Sequence, residues 1–299
     1  MSGRFPLPPG TFARLELLTN DDGLLAILNL LASGSLGGVD MQRTRWVGKH
    51  GDDDNSGQTL ETAFLTFTEA LAAASSGDVV CCLDAGSYEE ELSVPAGVHI
   101  WAPNATLTTA AGGAITNAAL TLDADSDVMV RAIVPKGNRS AVIRANTAGT
   151  ARIRAQVIDC RAGGGACLFN LSFAGGGILM SEVEQVHVGT GFGVGSITVS
   201  TGHTHVNIED IYIHGNNGFG LAQFGGNGIV GRVTHILEFG SPTGTVAILV
   251  NGGRVDLMAG GISADTAWTV GGAGTLSLFY NQATGVQVET GTVLKSTPA

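Results

Sequence analysis

Charged residues are scarce in this chain: they make up 14% of its 299 residues, against about 25% in an average soluble domain. Lysine occurs only at Lys49, Lys136 and Lys295, and the net charge is −11. A surface that binds duplex nucleic acid needs a stripe of Lys and Arg, and the nearest approach to one is the short basic segment 43–49. We therefore expect no nucleic-acid partner.

Cysteine and long apolar runs are also scarce. The four cysteines lack the spacing of a disulfide framework or a zinc site, so we interpret them as small buried hydrophobic residues. The apolar run 24–31 contains Asn29 and is much shorter than the roughly 20 residues that cross a bilayer. Residues 1–9 do not have the pattern of a signal peptide. We expect no membrane insertion and synthesis in the cytoplasm of a host cell.

What the chain has in abundance is glycine, at 45 residues, together with 44% hydrophobic residues. Glycine adopts the left-handed backbone conformations that tight turns require. Small side chains also allow strands to stack closely. This composition predicts an all-β protein built from many short strands.

Residues 1–45 are predicted to form an N-terminal arm. Its proline-rich beginning, residues 6–9, favours an extended chain. An amphipathic helix follows, capped by residues 20–22 and apolar along residues 24–31. Because a short arm offers such a helix no partner, we expect it to attach the protein to a larger particle or to pack between subunits. The residues predicted to make these contacts are Phe5, Pro8, Pro9, Leu24, Leu25, Ile27, Leu28 and Leu31.

Residues 46–101 contain an ordered series of motifs. An Asp/Asn/Gly-rich turn at 52–57 precedes an Ala-rich segment from Phe64 to Ala74, and a Gly-Asp turn at 77–78 follows. A G-x-Y-x-E strand at 86–90 and a P-x-G-V-x-I strand at 95–100 complete the series. The series resembles the opening of pectin-lyase-like right-handed parallel β-helices. The resemblance implies that fold, with the Ala-rich segment as a short capping helix. It does not imply one activity, because lyases, epimerases, adhesins and phage spikes share this opening.

A repeat in the following residues is independent support for a solenoid. Pairs of apolar residues three positions apart recur at intervals of 22–27 residues, and a period of this size is typical of solenoids. The predicted pairs are Val130 and Ile133, Val157 and Cys160, Val183 and Val186, Ile208 and Ile211, Val233 and Ile236, and Val255 and Met258. We therefore assign residues 46–299 to a parallel β-helix, with the cap and first turns at 46–101 and further turns at 102–265.

Residues 266–299 are predicted to form the C-terminal end of the solenoid. Large side chains are concentrated there, at Trp268, Leu276, Leu278, Phe279 and Tyr280. The last turn of a solenoid leaves apolar edges open. We therefore expect these residues to pack between copies of the chain in a homotrimer.

Two sets of polar residues align on the predicted turns. One contains Glu184, Glu209, Asp210 and His235, which would supply the acid and base if the chain cleaved polysaccharide. Corner residues of any solenoid are polar, however, and we predict no catalytic residue and no enzymatic activity. The other set, Arg161, His187 and Tyr212, is predicted to stack on an outward face. These side chains would either contact a sugar or form an ordinary solvated surface.

Two further patterns are compatible with metal binding but incomplete. Residues 52–57 are rich in carboxylates, yet they lack the ligand spacing and closing Glu of a calcium loop, so we interpret them as a turn before the capping helix. His203 and His205 lie on one side of a predicted strand, and no third ligand is apparent. We predict no metal and no cofactor.

Three classes of function fit these observations. The arm, the unpartnered apolar helix and the small number of catalytic candidates favour a structural protein on the virion of a tailed bacteriophage. This protein would be a capsid decoration protein or a head or tail spike, bound to capsid or tail proteins through residues 1–45 and in contact with a host surface glycan. The alternatives are a polysaccharide lyase or hydrolase, and a depolymerising tailspike that combines both properties.

Overall fold

The computed structural model describes residues 43–112, 117–144, 147–162, 165–172, 177–198, 202–225 and 228–297. These residues form a parallel β-solenoid of about seven turns, with a single short helix among them. The predicted all-β parallel β-helix is therefore confirmed. Within the same residues, no helix is both long and apolar enough to cross a membrane. The contact residues predicted in the arm, from Phe5 to Leu31, lie outside the described residues.

The first turns contain one helix and six strands. They are β1 (Thr44–Val47), α1 (Phe67–Ala72), β2 (Val79–Cys82), β3 (Ser87–Glu89), β4 (Leu92–Val94), β5 (His99–Thr108) and β6 (Ala118–Leu122). The middle turns contain β7 (Asp127–Val134), β8 (Ser140–Arg144), β9 (Thr150–Cys160), β10 (Leu168–Ser172), β11 (Ile178–Val188), β12 (Phe192–Thr198) and β13 (His203–Ile213). The last turns contain β14 (Phe219–Gln223), β15 (Ile229–Glu238), β16 (Val246–Val250), β17 (Gly253–Val270), β18 (Gly274–Glu289) and β19 (Thr292–Ser296).

Each middle turn combines one long strand with one short strand, and the solenoid has three faces. The long strand bends at a corner, where the pairing of β13 with its neighbours skips Glu209. The part before the corner, such as residues 203–208, forms the first face. The part after it, such as residues 210–213, forms the second face. The short strands β6, β8, β10, β12, β14 and β16 form the third face, which continues into residues 266–270 and 286–289.

The core follows the alternation of the strands. In β13 the buried apolar residues are Val206, Ile208, Ile211 and Ile213, and the exposed Glu209 marks the change of phase at the corner. Covering an aliphatic side chain of this kind contributes about 1.5–3 kcal/mol. Because equivalent residues stack on every turn, one continuous core runs the length of the solenoid.

The predicted register is correct for four of the six apolar pairs and wrong for two. Val130 and Ile133 pair with Ala155 and Ile158, not with Val157 and Cys160. In the same way, Val233 and Ile236 pair with Ala259 and Ile262. Met258, which was predicted to occupy the buried position that Ile262 holds, is 56% exposed. The successive starts are separated by 25, 28, 25, 25 and 26 residues. The long turn before β11 accounts for the wrong pair in β9, but it does not account for the pair in β17.

The N-terminal end is closed by the predicted capping helix, which is shorter than the predicted segment. Thr66 is the N-cap of α1, and Phe67, Ala70 and Leu71 are buried in the core. The carboxylate of Glu90 accepts hydrogen bonds from the backbone N–H groups of Phe67, at 3.1 Å, and Thr68, at 2.8 Å. A carboxylate at this end of a helix satisfies amides that have no partner within the helix.

The C-terminal end differs from the prediction of an open apolar edge. Trp268, Leu276 and Leu278 are at most 2% exposed within the protomer, so they belong to its own core. Two polar residues, Gln287 and Glu289, are the register partners of Trp268 and Val270 on the last turn. Glu289 accepts hydrogen bonds from the indole N–H of Trp268, at 2.9 Å, and from Lys295, at 2.6 Å. The solenoid is therefore closed by polar side chains, as terminal repeats commonly are.

The cysteines are buried and free, as predicted. Cys82 lies in the main core, whereas Cys81 belongs to a separate cluster with Trp46. The two adjacent side chains therefore point to opposite sides of β2, as the period of a strand requires. Burial raises the pKa of each of these two thiols to about 12, so both stay protonated and unreactive at neutral pH.

Candidate functional site

The second face brings together two residues that were predicted to lie side by side. His187 and Tyr212 are register partners on adjacent turns. Their rings stack with centroids 5.2 Å apart and planes inclined by 16°. This spacing follows from the fold, because equivalent side chains on neighbouring parallel strands are separated by about 4.8 Å. The pair forms a flat patch that continues along the solenoid axis.

Arg161 does not belong to this column, which corrects the predicted stack. The register partner of His187 is Asp159, and Arg161 follows the end of β9. Its guanidinium folds back onto Asp159, with Nε 2.9 Å from Oδ1 and Nη2 2.6 Å from Oδ2. Burial acts to raise the pKa of Asp159, but hydrogen bonds from Arg161 outweigh it and hold the pKa below its ordinary value. Asp159 is therefore a paired carboxylate at the edge of the patch.

Two residues that the sequence did not single out enlarge the patch. His214 Nε2 lies 2.9 Å from His187 Nδ1. The ring of Phe239 contacts His214 at 4.9 Å and Tyr212 at 6.1 Å between centroids. Phe239 is 61% exposed. We refer to His187, Tyr212, His214 and Phe239 as the aromatic shelf.

The imidazoles of the shelf are held toward their neutral form. Burial lowers the pKa of His187 and outweighs the opposing effect of the Asp159 carboxylate, and Arg161 adds to the lowering. Burial also lowers the pKa of His214, and the neighbouring His187 lowers it further. The short contact between the two rings needs one nitrogen to donate and the other to accept, so it requires at least one neutral imidazole. At neutral pH the shelf is an uncharged aromatic surface.

Asp210 is the polar centre next to the shelf. Its Oδ2 accepts a hydrogen bond from the hydroxyl of Tyr212 at 2.9 Å, and its Oδ1 lies 2.8 Å from His235 Nδ1. The hydrogen bond to Asp210 raises the pKa of Tyr212. Asp210 and His235 are register partners on adjacent turns. The structure therefore brings together two of the four residues named for the enzymatic alternative.

The other two, Glu184 and Glu209, lie at the corner between the first and second faces. Gln185 is the register partner of Asp210, and Val183 is that of Ile208. Glu184 and Glu209 consequently occupy equivalent corner positions on adjacent turns, as predicted, and both are exposed. Their position is convex, so the fold does not place them across a groove from a second carboxylate.

A groove lies on the first face, away from the shelf. It has a volume of about 740 Å³, and the residues that shape it include Arg232, Asp256, Met258, Phe279, Leu294 and Lys295. Met258 and Leu294 are more than half exposed. The groove is mainly apolar and contains none of the residues that were predicted to act on a polysaccharide.

Of the two incomplete metal patterns, the carboxylate-rich segment 52–57 has a structural role. The pair His203 and His205 has no third ligand among the described residues. Asp53 Oδ1 accepts hydrogen bonds from the backbone N–H groups of Leu65 and Thr66, both at 2.9 Å. The carboxylate thus joins the predicted turn to the start of α1. The rings of His203 and His205 are 6.1 Å apart. No group of three or more metal-binding side chains occurs in the part of the chain that the structure describes.

The repeat interval of the solenoid relates the shelf residues that were not predicted to those that were. His214 and Phe239 are 25 residues apart, as are His187 and Tyr212, so the same period relates both pairs. Asp159 was missed for a different reason. The turn before β11 is longer than its neighbours, and the pair predicted in β9 was shifted by two residues.

Comparison with known proteins gives no relative: no protein-family model, curated protein or solved structure matches this chain.

Proposed function

We propose that this protein is a structural component of the virion surface of a tailed bacteriophage, either a capsid decoration protein or a head or tail spike. In this proposal its second face contacts a glycan of the host surface. The aromatic shelf is the observation that carries the glycan contact. The virion assignment comes from the sequence, through the predicted arm and the resemblance to the opening of phage β-helices.

The shelf has the chemistry of a sugar-contacting surface. A sugar ring has apolar C–H groups on its faces and hydroxyl groups around its edge. The exposed ring of Phe239 and the stacked rings of His187 and Tyr212 offer flat apolar faces. Asp159 and Asp210 at the edge of the shelf present carboxylate oxygens that can accept hydrogen bonds from hydroxyls. We expect a neutral or weakly basic glycan, because the chain has a net charge of −11.

The surroundings of the carboxylates favour contact over cleavage. Hydrolysis needs two carboxyl groups on opposite sides of the scissile bond, about 5–9.5 Å apart. Asp159 is held by Arg161, and both oxygens of Asp210 already have partners within the protomer. Neither of the two carboxylates beside the shelf therefore stands free of partners in the protomer, as an acid or base of that kind would.

Binding to host cells tests this proposal. The full-length protein, labelled with a fluorophore, should bind to cells or purified surface polysaccharide of the host. Phe239→Ala should weaken binding by about tenfold or more, as expected when an exposed aromatic anchor is removed. A matched control is Leu294→Ala, because Leu294 is 59% exposed but lies on the first face. Equal binding by both variants and the unmodified protein would exclude the shelf as the contact surface.

The enzymatic alternative rests on Asp210 and His235. A carboxylate that is hydrogen-bonded to a histidine is a recurrent acid–base arrangement, and here both groups adjoin the shelf. If the protein is structural, incubation with pectin, alginate or capsular polysaccharide should release no reducing or unsaturated ends. Release that disappears in Asp210→Asn would establish an enzyme and contradict the structural assignment.

A further inference from the structure

The groove on the first face is an apolar concavity at the C-terminal end of the solenoid. It crosses the strands of that face from β13 to β19, and at a spacing of about 4.8 Å between strands it is about 19 Å long. Met258 and Phe279 are register partners in it, at 56% and 41% exposure, and Leu294 on the last turn is 59% exposed. Three large apolar side chains that line one concavity favour an apolar occupant over water.

The groove also contains a cation without a partner in the protomer. Arg232 in β15 is exposed, and among the described residues its side chain makes no ion pair or hydrogen bond. The nearby Asp256 is already paired with Arg254 at 2.6 Å. Because a guanidinium has five N–H donors, the occupant should supply hydrogen-bond acceptors next to an apolar surface. The last turn of an apolar helix supplies both, since its final four carbonyl groups have no partner within the helix.

The chain contains a segment of this kind outside the described residues. Residues 20–31 begin with Asn-Asp-Asp, and residues 24–31 include six Leu or Ile. The helix that the sequence predicts for residues 20–31 would be about 18 Å long. This length matches that of the groove.

The described part of the chain begins on the same face as the groove. Thr44 in β1 belongs to a register column that runs along the first face through His205 to Leu294. The distance from β1 to β13, where the groove begins, is about 29 Å at the usual strand spacing. Residues 32–42 link the apolar segment to residue 43, and a linker of this length extends to about 40 Å. The segment can therefore reach the groove of its own chain.

The surface between β1 and the groove suits the residues that would cross it. Its outward side chains include an ion-pair network, in which Asp127 lies 3.5 Å from Arg152 and 2.9 Å from Arg154. Residues 32–42 are mostly small or polar and include three Gly and two Ser. Such a linker can cross charged side chains without burying them, whereas an apolar helix would desolvate them at a cost. The order of polar and apolar segments in the arm thus agrees with the order of surfaces on the first face.

We infer that residues 20–31 pack into the groove on the first face of their own chain. The linker fixes the direction, with residue 31 near β13 and residue 20 near β19, because the reverse arrangement would require about 48 Å. In this direction the last turn of the segment lies beside Arg232, whose guanidinium can donate to the free carbonyl groups. Asp21 and Asp22 lie at the end of the groove that Lys295 lines.

The inference goes beyond the proposed function, because it concerns a contact within the chain. Residues 24–31, which were expected to contact a particle or another subunit, are then covered in the protomer. Attachment to a particle is left to the residues before 20, such as Phe5, Pro8 and Pro9. The contact involves neither the aromatic shelf nor a glycan, so a failure of the glycan proposal would leave it unaffected.

Chemical cross-linking of the full-length protein tests the inference. Leu25→Cys with Met258→Cys places one thiol near the middle of the segment and one near the middle of the groove. The matched control is Leu25→Cys with Val286→Cys, since Val286 is 61% exposed but lies on the third face. The four native cysteines are buried and provide an unreactive background. A short bismaleimide should join the first pair within one chain, at a mass of 30.4 kDa, and leave the control pair unjoined.

Three other outcomes of cross-linking would overturn the inference. They are joining of both pairs to the same extent, joining of neither pair, and joining between two chains at about twice the mass. The third outcome would assign the groove to the arm of a second copy.

Oxidation of Met258 gives a second measurement that needs no cysteine. Peroxide converts an accessible methionine to its sulfoxide, so the rate at Met258, followed by mass spectrometry, reports whether the groove is covered. Leu28→Asp places a charge in the segment and should raise this rate about tenfold or more, as expected if about nine molecules in ten of the unmodified protein have the groove occupied. Leu36→Asp is the matched control, because Leu36 belongs to the linker, and it should leave the rate unchanged. The same rate in Leu28→Asp and the unmodified protein, or an equal rise in both variants, would contradict the inference.

Discussion

At the scale of single residues, the orientation of each side chain in a turn decides what the fold tolerates. Ile211 is fully buried, between its register partners Val186 and Ile236. Glu209, two residues before it, is exposed at the corner. The two positions are close in sequence but opposite in environment, so substitutions there report directly on the register.

We predict that Ile211→Asp prevents folding or lowers the free energy of unfolding by more than about 4 kcal/mol, because it places an unpaired charge in the core. Glu209→Ala should lower it by less than about 1 kcal/mol. Denaturant unfolding of both variants measures the difference. Comparable losses in the two variants would contradict the register described for β13.

The imidazoles of the shelf make stability depend on pH. The pKa values of His187 and His214 are lowered in the folded state. Histidines in the unfolded chain take up protons near pH 6.5, at about the ordinary value. The unfolded state therefore binds more protons below that pH, and the free energy of unfolding decreases as the pH falls through this range.

We predict full stability above about pH 6.5 and a progressive loss between about pH 6.5 and 5. Carboxylates with lowered pKa values, such as Asp159, lose their contribution only in more acidic solution, so the two effects separate. His214→Asn should reduce the pH dependence in this window. Stability that is constant or rises as the pH falls to about 5 would contradict the environment assigned to the two rings.

At the scale of elements, the capping helix depends on a residue from a distant strand. Glu90 follows β3 directly, and its carboxylate binds the first amides of α1. The ring of Phe67 packs edge-on against Tyr88, with centroids 4.8 Å apart. The G-x-Y-x-E motif thus supplies both an apolar and a polar contact to the helix, which explains why the two motifs occur together.

We predict that Glu90→Ala lowers the free energy of unfolding by about 1–2 kcal/mol, the usual effect of removing a helix cap. Glu89→Ala is the matched control, since Glu89 is about half exposed and pairs only with Lys136 at the surface. Such a surface ion pair contributes about 0–1 kcal/mol. Thermal unfolding of the two variants measures the difference, and equal losses would rule out the capping role of Glu90.

At the scale of the whole molecule, the boundary between the arm and the solenoid can be placed from the first strand. Thr44 is buried, and Arg43 and Arg45 pair with the buried carboxylate of Asp78, at 3.3 Å and 3.4 Å. The solenoid therefore includes residue 43, three residues before the boundary that the sequence predicted.

We predict that a chain of residues 43–299 folds and unfolds cooperatively but no longer binds to particles that lack the native protein, because residues 1–42 carry the proposed attachment surface. Starting the chain at Trp46 should cost about 1–3 kcal/mol more, since the buried Asp78 loses both arginines. Particle binding by cosedimentation and thermal unfolding measure the two effects. Binding of residues 43–299 equal to that of the full-length chain would exclude the arm as the anchor.

Local patterns were sufficient to predict the fold class and much of the middle of the solenoid. Residues 183–236 keep a constant interval of 25 between turns, so Val183, Ile208 and Val233 align on inspection. The pair predicted in β9 failed because the loop before β11 is longer. In β17, Val255 and Met258 have the predicted apolar spacing. The residue that pairs with Val233, however, is Ala259. An alanine is too weak a hydrophobic signal to correct that choice.

The sequence by itself determined that the chain is a parallel β-helix with a short cap, because strand periodicity, turn residues and the repeat interval are local properties. Only the tertiary structure decided which distant side chains meet. It stacked His187 on Tyr212, added His214 and Phe239, and closed the end over Trp268. These contacts join residues 21–27 positions apart, and their alignment depends on the length of every intervening loop. A one-residue change in register moves a side chain to the opposite face of the sheet, so these contacts are set by the assembled turns.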